Sequence, residues 1–202
     1  MTSDDRRASV DDAVLRAVLD PPPTLWSGRE GLRDAAVLAP ILTRAGEDWF
    51  LFTRRRDDLR HHPGQVSFPG GRRDGAEDPV ACALREAREE VGLHPDEVRV
   101  LGGLPARPSV AGFWVQVVVA RVDAPFEALT PDPAEVAEVL AFPLERLRDP
   151  GAWELREPRG HPGRRPSPHF VHGGQVLWGL TARFTLDLLE RLFEDAPRPG
   201  RI

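Results

Sequence analysis

The pattern of hydrophobic and polar positions predicts a β-hairpin in the first third of the chain. Residues 35–42 (AAVLAPIL) and 49–55 (WFLFTRR) are two short apolar runs of the kind that form strands. Between them, Gly46–Asp48 supply the small and polar residues that tight turns require. The two runs are therefore expected to pair as antiparallel neighbours.

Further runs along the chain have the composition of strands. Residues 98–104 (VRVLGGL) and 113–122 (FWVQVVVARV) are two of them, and the second is apolar enough to lie in the middle of a sheet. A shorter strand is predicted near Val139–Phe142, after a proline-rich loop over residues 123–137. A hairpin is also predicted over Gly173–Gly174.

Apolar residues at helical spacing predict three helices. The first covers about residues 9–20 and is ended by the three prolines that follow it. The second covers residues 79–91, because Pro79 suits a first helical turn and Gly92 suits a C-terminal cap. The third covers about residues 180–194, where LTARFTLDLLERLF places an apolar stripe on one face.

Strands and helices mixed in this order predict an α/β protein in which helices cover both faces of a sheet. No repeat or low-complexity tract interrupts residues 1–202, which we interpret as a single domain. The basic and irregular segment 156–169 (REPRGHPGRRPSPH) is expected to be a mobile surface loop.

Composition and charge limit the partners that this chain can have. Its 41% apolar and 29% charged residues are typical of a globular domain. The formal net charge of −5 gives no general attraction to nucleic acid or to an anionic membrane. No run approaches the roughly 18 apolar residues that a membrane span requires. We expect a small-molecule substrate, no nucleic acid and no membrane, and the sequence is compatible with a homodimer.

The cysteine content and the first residues bear on the compartment. The single cysteine, Cys82, cannot form an intramolecular disulfide. We interpret it as a small helix residue, because no His or Lys beside it in the sequence would lower the pKa of its thiol. Residues 1–12 (MTSDDRRASVDD) lack the apolar stretch of a signal peptide. These features predict a cytoplasmic protein.

Three carboxylates are gathered on the predicted helix at 79–91. Glu86, Glu89 and Glu90 share one side of it at about 100° per residue, next to an apolar face that can pack. Like charges three and four residues apart destabilise a helix. A bound Mg²⁺ or Mn²⁺ ion would explain the arrangement, because both prefer carboxylate oxygens and often complete their shell with phosphate oxygens. A phosphorylated substrate is therefore expected.

The hexamer REAREE also has a simpler interpretation, an ordinary solvated helix face of alternating charge. In that case Arg85, four residues before Glu89, would only stabilise the helix. In a functional site, its planar set of donors would instead hold a carboxylate in the correct orientation. The surrounding residues favour the functional interpretation.

The spacing around the hexamer resembles the Nudix box. Five residues separate the first glycine from a glutamate, and seven more precede the Arg-Glu pair. Every fixed glycine and charged position of the box is present between residues 71 and 93: Gly71, Glu77, Arg85, Glu86, Glu89, Glu90 and Gly92. Ala87 departs from the larger aliphatic residue that is usual in the family, which concerns helix packing rather than chemistry.

The resemblance to Nudix hydrolases implies a fold and a reaction class. The implied fold is an α/β/α sandwich with a mixed β-sheet, in which a loop–helix–loop presents glutamates to a divalent metal ion. The implied reaction is hydrolysis of a nucleoside diphosphate linked to another group. A metal ion assists it by withdrawing charge from the phosphates and lowering the pKa of a bound water. A non-catalytic binding module is disfavoured, because such modules often lose a box glutamate.

The same resemblance assigns roles to single residues. Glu86 and Glu90 are the first candidates for metal ligands and Glu89 is the next, with a backbone carbonyl of Gly70 or Gly71 beside them. All three glutamates are also candidate catalytic residues. These assignments predict that the side chains meet at the glycine loop.

The other candidate catalytic residues have less defined roles. Arg85 would orient a carboxylate. Glu77 would act through water or support the loop, or be a first-turn residue favoured by the helix dipole. The general base is either a helix glutamate or a loop residue, and Glu135 and Glu138 are the loop candidates. A surface role is the alternative for each of these two.

A second resemblance narrows the substrate. Residues 51–71 (LFTRRRDDLRHHPGQVSFPGG) are similar to the signature of the coenzyme A diphosphatase subgroup. The matching residues are Leu51, Thr53, Arg55, Arg60, His62, Gly64, Phe68, Pro69, Gly70 and Gly71. Phe52, Arg54 and Arg56 stand where the signature has Leu, Lys and Ser. The run WGLTA at 178–182 resembles the end of the same subgroup.

This subgroup resemblance implies hydrolysis of coenzyme A or its derivatives to 3',5'-ADP and 4'-phosphopantetheine. ADP-ribose and dinucleoside polyphosphates are the alternative substrates. Arginine side chains suit phosphates, and strand alternation would place Arg54 and Arg55 on opposite faces. The predicted substrate-binding residues are Arg54, Arg55, Arg60, His62 and Gly64. Trp178 is predicted to pack in the core, with an adenine platform as the alternative.

Overall fold

The computed structural model describes residues 9–60, 62–157 and 166–199. The strands in these ranges are β1 (Arg33–Arg44), β2 (Glu47–Arg55), β3 (Val66–Ser67), β4 (Gly70–Arg72), β5 (Val98–Pro108), β6 (Phe113–Val122), β7 (Val136–Pro143), β8 (Trp153–Arg156), β9 (Ser167–His172) and β10 (Gln175–Leu177). The helices are α1 (Asp12–Val18), α2 (Pro79–Val91), α3 (Leu144–Arg148) and α4 (Gly179–Leu192). None of these helices is long and apolar enough to cross a membrane.

The main sheet is mixed. Its central order is β3-β2-β1-β6-β5, with β4 added to β1 and β7 added to β2. β1 and β2 form the antiparallel hairpin that the sequence predicts. β1 and β6 pair in parallel from Arg33 opposite Phe113 to Leu42 opposite Val122. The apolar run of β6 thus lies between two strands, as its composition indicates.

Helices cover both faces of this sheet, which confirms the α/β/α sandwich. Alternate residues of each strand serve opposite cores, because successive side chains point to opposite faces. On one face, Ala39 and Ile41 pack in the cluster that also contains Leu15 of α1 and Phe184 of α4. On the other face, Leu38 of β1 belongs to the cluster that α2 covers. The predicted apolar face of α2 is the face that packs.

A second sheet, β10-β9-β8, was only half predicted. The β9–β10 hairpin over Gly173–Gly174 is confirmed. β8 was missed because its sequence, WELR, has a single buried residue, Trp153, whose ring packs on Phe170 of β9. The segment 156–169 therefore begins and ends in paired strands, and residues 158–165 lie outside the described ranges.

Local hydrogen bonds correct several predicted boundaries. The N-terminal helix is shorter than 9–20, because the Asp11 carboxylate accepts the Ala13 N–H and starts the helix at Asp12, while Leu19 is already extended. The C-terminal helix ends at Leu192 rather than 194, since Phe193 is extended. β7 is longer than the predicted strand, because its whole length pairs with β2.

Buried charges attach the N-terminal segment to the sheet. Arg121 and Asp48 are 5% and 3% exposed, and their side chains form an ion pair at 2.7 Å. The Asp48 carboxylate also accepts the Val10 N–H, and Arg121 donates to the Val10 carbonyl. Asp12 of α1 completes the network through Arg121 Nε. The polar groups of this buried cluster thereby satisfy one another.

Candidate active site

The segment 68–71 (FPGG), here called the glycine loop, leads into β4 and lies directly against β1. Gly70 is opposite Val37 in the β1–β4 pair. A Cβ atom on Gly70 would lie 2.5 Å from both the Ala36 carbonyl oxygen and the Val37 Cα, so only glycine fits. The Leu38 N–H donates to the Pro69 carbonyl at 2.9 Å. These contacts hold the loop at a fixed position beside α2.

Both ends of α2 have clear capping signals. Asp78 precedes the helix, and its side chain accepts the Ala81 N–H at 2.8 Å. Gly92 ends it in the left-handed conformation, at a φ of 70°. Because Ala83 and Ala87 are buried against the sheet, the glutamates of the helix turn toward the glycine loop. The predicted bounds 79–91 are confirmed.

The three box glutamates of α2 differ in burial. Glu86 lies over Gly71 so closely that a Cβ on that glycine would be 2.4 Å from the Glu86 carboxyl carbon. Glu90 is 8% exposed, and its carboxylate accepts the Gly70 N–H at 3.3 Å. The Glu89 side chain is 59% exposed. The structure thus brings Glu86 and Glu90 to the loop and leaves Glu89 at the rim.

Burial makes both inner carboxyls resist ionisation. It raises the pKa of Glu90 to about 8, and the nearby Glu86 charge adds to the effect. Burial also raises the pKa of Glu86, although Arg85 partly opposes the shift. Adjacent carboxyls that are costly to ionise are stabilised when a cation joins them.

Arg85 connects the helix to the preceding loop. Its Nε and Nη2 donate to the two carboxylate oxygens of Glu77 at 3.0 and 2.9 Å. Its Nη1 donates to Glu86 and Glu89, each at 2.9 Å. The sequence indicated Glu89 as a partner through its helical spacing, but the bidentate partner Glu77 lies before the helix and gave no such signal. Arg85 is therefore shared among three carboxylates.

Glu77 supports the loop that enters α2. The Arg85 guanidinium holds the pKa of its carboxyl down at about 2. Its Oε1 also accepts the Asp74 N–H at 2.7 Å. The Glu77 carbonyl accepts the indole N–H of Trp26 at 2.7 Å. Of its proposed roles, loop support is the one that these contacts favour.

The only cysteine lies beneath the glycine loop. Cys82 is fully buried, and its thiol donates to the carbonyls of Arg72 and Gly71 at 3.5 and 3.8 Å. Burial raises the pKa of this thiol to about 12. The carbonyl of Gly71, a candidate metal ligand, therefore already has a weak hydrogen-bond partner.

The two candidate arginines of β2 separate as strand alternation predicts. Arg55 pairs with Glu135 at 3.5 Å, and the Arg55 charge partly opposes the rise that burial causes in the pKa of Glu90. Glu135 raises the pKa of both Glu86 and Glu90, so it shares their environment. Arg54 instead pairs across strands with Glu138 at 3.6 Å. Arg55 and Glu135 belong to the candidate site.

The other predicted substrate-binding residues lie in the loop that joins β2 to β3. Arg60 and His62 are exposed, and His62 has a φ of 54°. Gly64 has a φ of 65°, and a Cβ there would lie 2.7 Å from the Asp57 carboxylate. Gly64 therefore has a conformational reason to be glycine, whatever the substrate.

Trp178 does not pack in the core, contrary to our prediction. It is 41% exposed, and its ring stacks on His169 with centroids 6.1 Å apart. The apolar core position is instead taken by its neighbour Leu177, which is fully buried. Residue type alone favoured burial of a tryptophan, but strand alternation placed the preceding leucine inward.

The donor set suits a divalent cation once the side chains adjust. In the described residues, no group of three or more His, Cys, Asp and Glu side chains is already arranged around a metal position. Glu86 and Glu89 are turned toward Arg85. The available donors are carboxylate and carbonyl oxygens, which hard divalent ions prefer, and the half-buried Glu86 and the buried Glu90 gain most from such an ion. The residues therefore fit a divalent metal.

Comparison with known families agrees with this geometry. The model of the NUDIX domain matches residues 32–161, which is more than half of the chain. The chain belongs to the Nudix family. Its members are hydrolases of diphosphate anhydride bonds and generally need divalent metal ions, so this Nudix hydrolase is an enzyme of that class.

Individual relatives support the assignment along most of the chain. An uncharacterized Nudix hydrolase NudL of Pectobacterium atrosepticum is 40% identical over 86% of this chain and 90% of its own length. The peroxisomal coenzyme A diphosphatase NUDT7 of mouse is 42% identical over 60% of this chain and 52% of its own length. A MutT/nudix family protein of Enterococcus faecalis has a similar fold, with a TM-score of 0.55, 17% identity, and coverage of 83% of this chain and 64% of its own.

Proposed function

We propose that this Nudix hydrolase cleaves the diphosphate bond of coenzyme A or its derivatives, giving 3',5'-ADP and 4'-phosphopantetheine, with Mg²⁺ or Mn²⁺. One observation carries the proposal. The segment 51–71 resembles coenzyme A diphosphatases. It begins in β2, where the charge of Arg55 acts on Glu90, and it ends at the two glycines that contact Glu86 and Glu90. The identity to the mouse coenzyme A diphosphatase supports the same substrate.

The proposed metal ligands are Glu86 and Glu90, with Glu89 and a carbonyl of Gly70 or Gly71 available to complete the set. When bound, the ion would neutralise phosphate charge and activate a water molecule. Glu89 would turn away from Arg85 at little cost, because its side chain is exposed. The reaction then depends on residues that place the diphosphate next to Glu86 and Glu90.

The remaining residues would orient a metal ligand, bind the substrate and accept a proton. Arg85 would orient Glu86 through its Nη1, while Glu77 holds the other side of the guanidinium. Arg55 would bind a phosphate oxygen once it exchanges its contact with Glu135 for the substrate. Glu135 would then be free to accept a proton from the attacking water, and we propose it over Glu138 as the loop base.

Residues further from the box would contact the rest of coenzyme A. Arg54 and Arg60 are the proposed contacts for its additional phosphate. His62 is a further proposed substrate contact, and Gly64 shapes the loop that carries Arg60 and His62. A cytoplasmic location and a possible homodimer stay predictions from the sequence.

The decisive experiment is turnover of coenzyme A compared with ADP-ribose, in Mg²⁺ and separately in Mn²⁺. We expect 3',5'-ADP and 4'-phosphopantetheine in equal amounts, and a kcat/KM for coenzyme A at least about tenfold above that for ADP-ribose. Liquid chromatography with mass spectrometry identifies the products. Equal or faster hydrolysis of ADP-ribose would contradict the substrate assignment.

Substitution of a proposed ligand tests the site itself. Glu86→Gln should lower kcat/KM by roughly 100-fold or more, because it removes one ligand charge. The thermal unfolding temperature should stay close to that of the wild type. The control is Glu145→Gln, at an exposed position of α3, which should leave activity unchanged. Wild-type activity of the Glu86 variant would exclude the assigned role.

A further inference from the structure

A cavity lies beside the glycine loop, on the sheet face that carries α4. Its volume is about 340 Å³. Apolar side chains form most of its wall: Val37, Val110, Val115, Leu180, Phe184 and Trp178. The exposed residues His62 and Arg183 also line it. Apart from His62, none of the proposed site residues lines this cavity.

Two apolar residues that line this cavity are unusually exposed to solvent. Val110 is 89% exposed, at the tip between β5 and β6, and Trp178 is 41% exposed at the start of α4. Scattered exposed apolar residues are common, but these two line the same concave surface. A cluster of apolar side chains around a cavity is typical of ligand-binding sites.

The cavity lies next to the glycine loop, because Val37 lines the cavity and also contacts that loop. Val37 lies opposite Gly70 in the β1–β4 pair, and a Cβ on Gly70 would lie 2.8 Å from Val37 Cγ1. The N–H of the same glycine donates to the Glu90 carboxylate. A substrate whose diphosphate lies at the glutamates can therefore extend one of its arms toward this cavity.

We propose that the cavity binds the aliphatic arm of the substrate, the pantetheine chain and an acyl group on its sulfur, rather than the adenine. This inference rests on the proposed function. Most of the wall is apolar, with Gln65, Ser109 and Thr181 as further polar residues of the lining, and an apolar wall suits an aliphatic chain better than the polar edge of an adenine. In the described ranges, the buried side-chain polar atoms without a hydrogen-bond partner are Trp49 Nε1 and Arg54 Nε, and neither residue lines the cavity.

The proposal predicts a preference for acylated coenzyme A. Each methylene of a buried acyl chain should raise kcat/KM, by up to about fourfold, until the cavity is filled. Arg183 and His62 at the rim would not oppose an anionic substrate that enters along this path. Free coenzyme A would leave the exposed part of the wall, at Val110, in contact with water.

The test compares free, butanoyl- and octanoyl-coenzyme A on the wild type, Val110→Ser and Val14→Ser. Val14 is the matched control, because it is also exposed, at 48%, but lies on α1 outside the cavity. We expect kcat/KM of the wild type to rise with acyl length. Val110→Ser should lower the ratio of octanoyl- to free coenzyme A by about fivefold, and Val14→Ser should leave that ratio unchanged.

Three results would overturn the inference while hydrolysis of coenzyme A stands. The first is a wild-type kcat/KM that does not depend on acyl length, and the second is an equal effect of the two serine variants. The third is a weaker binding of 3',5'-ADP by Val110→Ser, which would place adenine in the cavity.

Calorimetry without metal separates this inference from the proposed function, because it needs no turnover. Octanoyl-coenzyme A should bind the wild type several-fold more tightly than free coenzyme A, and Val110→Ser should reduce that difference. If coenzyme A is not hydrolysed, the proposed function fails, and this binding comparison still decides what the cavity accepts. Equal affinities would overturn the inference.

Discussion

The absence of a side chain at Gly71 leaves room for the carboxylate of Glu86, a candidate catalytic residue. Glu86 occupies the space in which a side chain of Gly71 would lie, because a Cβ on that glycine would be 2.4 Å from the nearest atoms of the Glu86 carboxylate. The close approach brings a carboxylate onto the loop backbone, next to the N–H that Glu90 accepts. The position of this candidate ligand therefore depends on the absence of a Cβ atom at residue 71.

Gly71→Ala should therefore displace Glu86 and lower kcat/KM by roughly 100-fold or more, with little loss of stability, since the Glu86 side chain can move outward. Steady-state kinetics and thermal unfolding check both parts. The control is Gly75→Ala, between β4 and α2. A Cβ at this position would have nothing within 4 Å, but its φ is +54°. This substitution should cost about 1 kcal/mol of stability and keep activity. Equal activity of the two variants would exclude the steric role.

The thiol of Cys82 illustrates how burial decides reactivity. The side chain is fully buried and its pKa is raised to about 12, so almost no thiolate forms at pH 8. We expect the native protein to resist a disulfide reagent such as DTNB at pH 8 and to react with one equivalent after unfolding in urea. Rapid labelling of the native protein, followed by absorbance, would contradict the described packing.

At the scale of elements, the ion-pair network of Arg85 joins α2 to the loop that precedes it. One guanidinium links Glu77 before the helix with Glu86 and Glu89 on it. The Glu77 side chain is only 15% exposed, so this pair is less screened than a surface salt bridge. The network should stabilise the helix and also keep it in register with the glycine loop.

This network predicts a specific dependence of stability on acid. The pKa of Glu77 is lowered from an ordinary 4.5 to about 2, so its contribution is complete above about pH 5 and is lost as the pH falls toward 2. Glu77→Gln should cost about 2 kcal/mol at pH 6, and the gap to the wild type should narrow by pH 3. Urea unfolding at both pH values measures it. The exposed control Glu145→Gln should unfold with the same free energy as the wild type at both pH values. A cost of Glu77→Gln that is equal at pH 6 and pH 3 would contradict the pairing.

At the scale of the whole molecule, the buried pair Asp48–Arg121 connects the hairpin, the sheet centre and the N-terminal segment. Removing one partner of a buried pair leaves a charge without compensation. Asp48→Asn should cost about 3 kcal/mol in urea unfolding. Asp123→Asn, which weakens the half-exposed pair with Arg99, is the control and should cost under about 1 kcal/mol. Similar costs would mean that the buried network is not a major source of stability.

Much of the fold could be predicted because its signals are local. The hairpin of β1 and β2, the strand β6 and the bounds of α2 each follow from apolar runs, turn residues and caps within a few positions. β8 could not be predicted, because only its pairing with β9 makes a four-residue run with one buried side chain a strand. The length of β7 likewise comes from its partner strand.

The candidate site was predictable to the same extent. Helical spacing was enough to place the box glutamates beside an apolar face, but not to show that Glu90 is buried while Glu89 is exposed. The partnership of Arg85 with Glu77 depends on how the loop folds back. The exposure of Trp178 depends on the fact that its neighbour Leu177, and not Trp178 itself, points into the core. In each case the deciding contact lies outside the segment that carries the residue.

The attachment of the N-terminal segment has a consequence for biosynthesis. Arg191 of α4 donates to the carbonyl of Val18, 173 positions earlier in the chain, and to the carboxylate of Asp20. The ribosome therefore releases the residues of α1 long before their partner on α4 exists. Until then, this short helix and the residues that follow it lack their hydrogen bonds to Arg191, so the attachment of the N-terminal segment is completed only when α4 has been made.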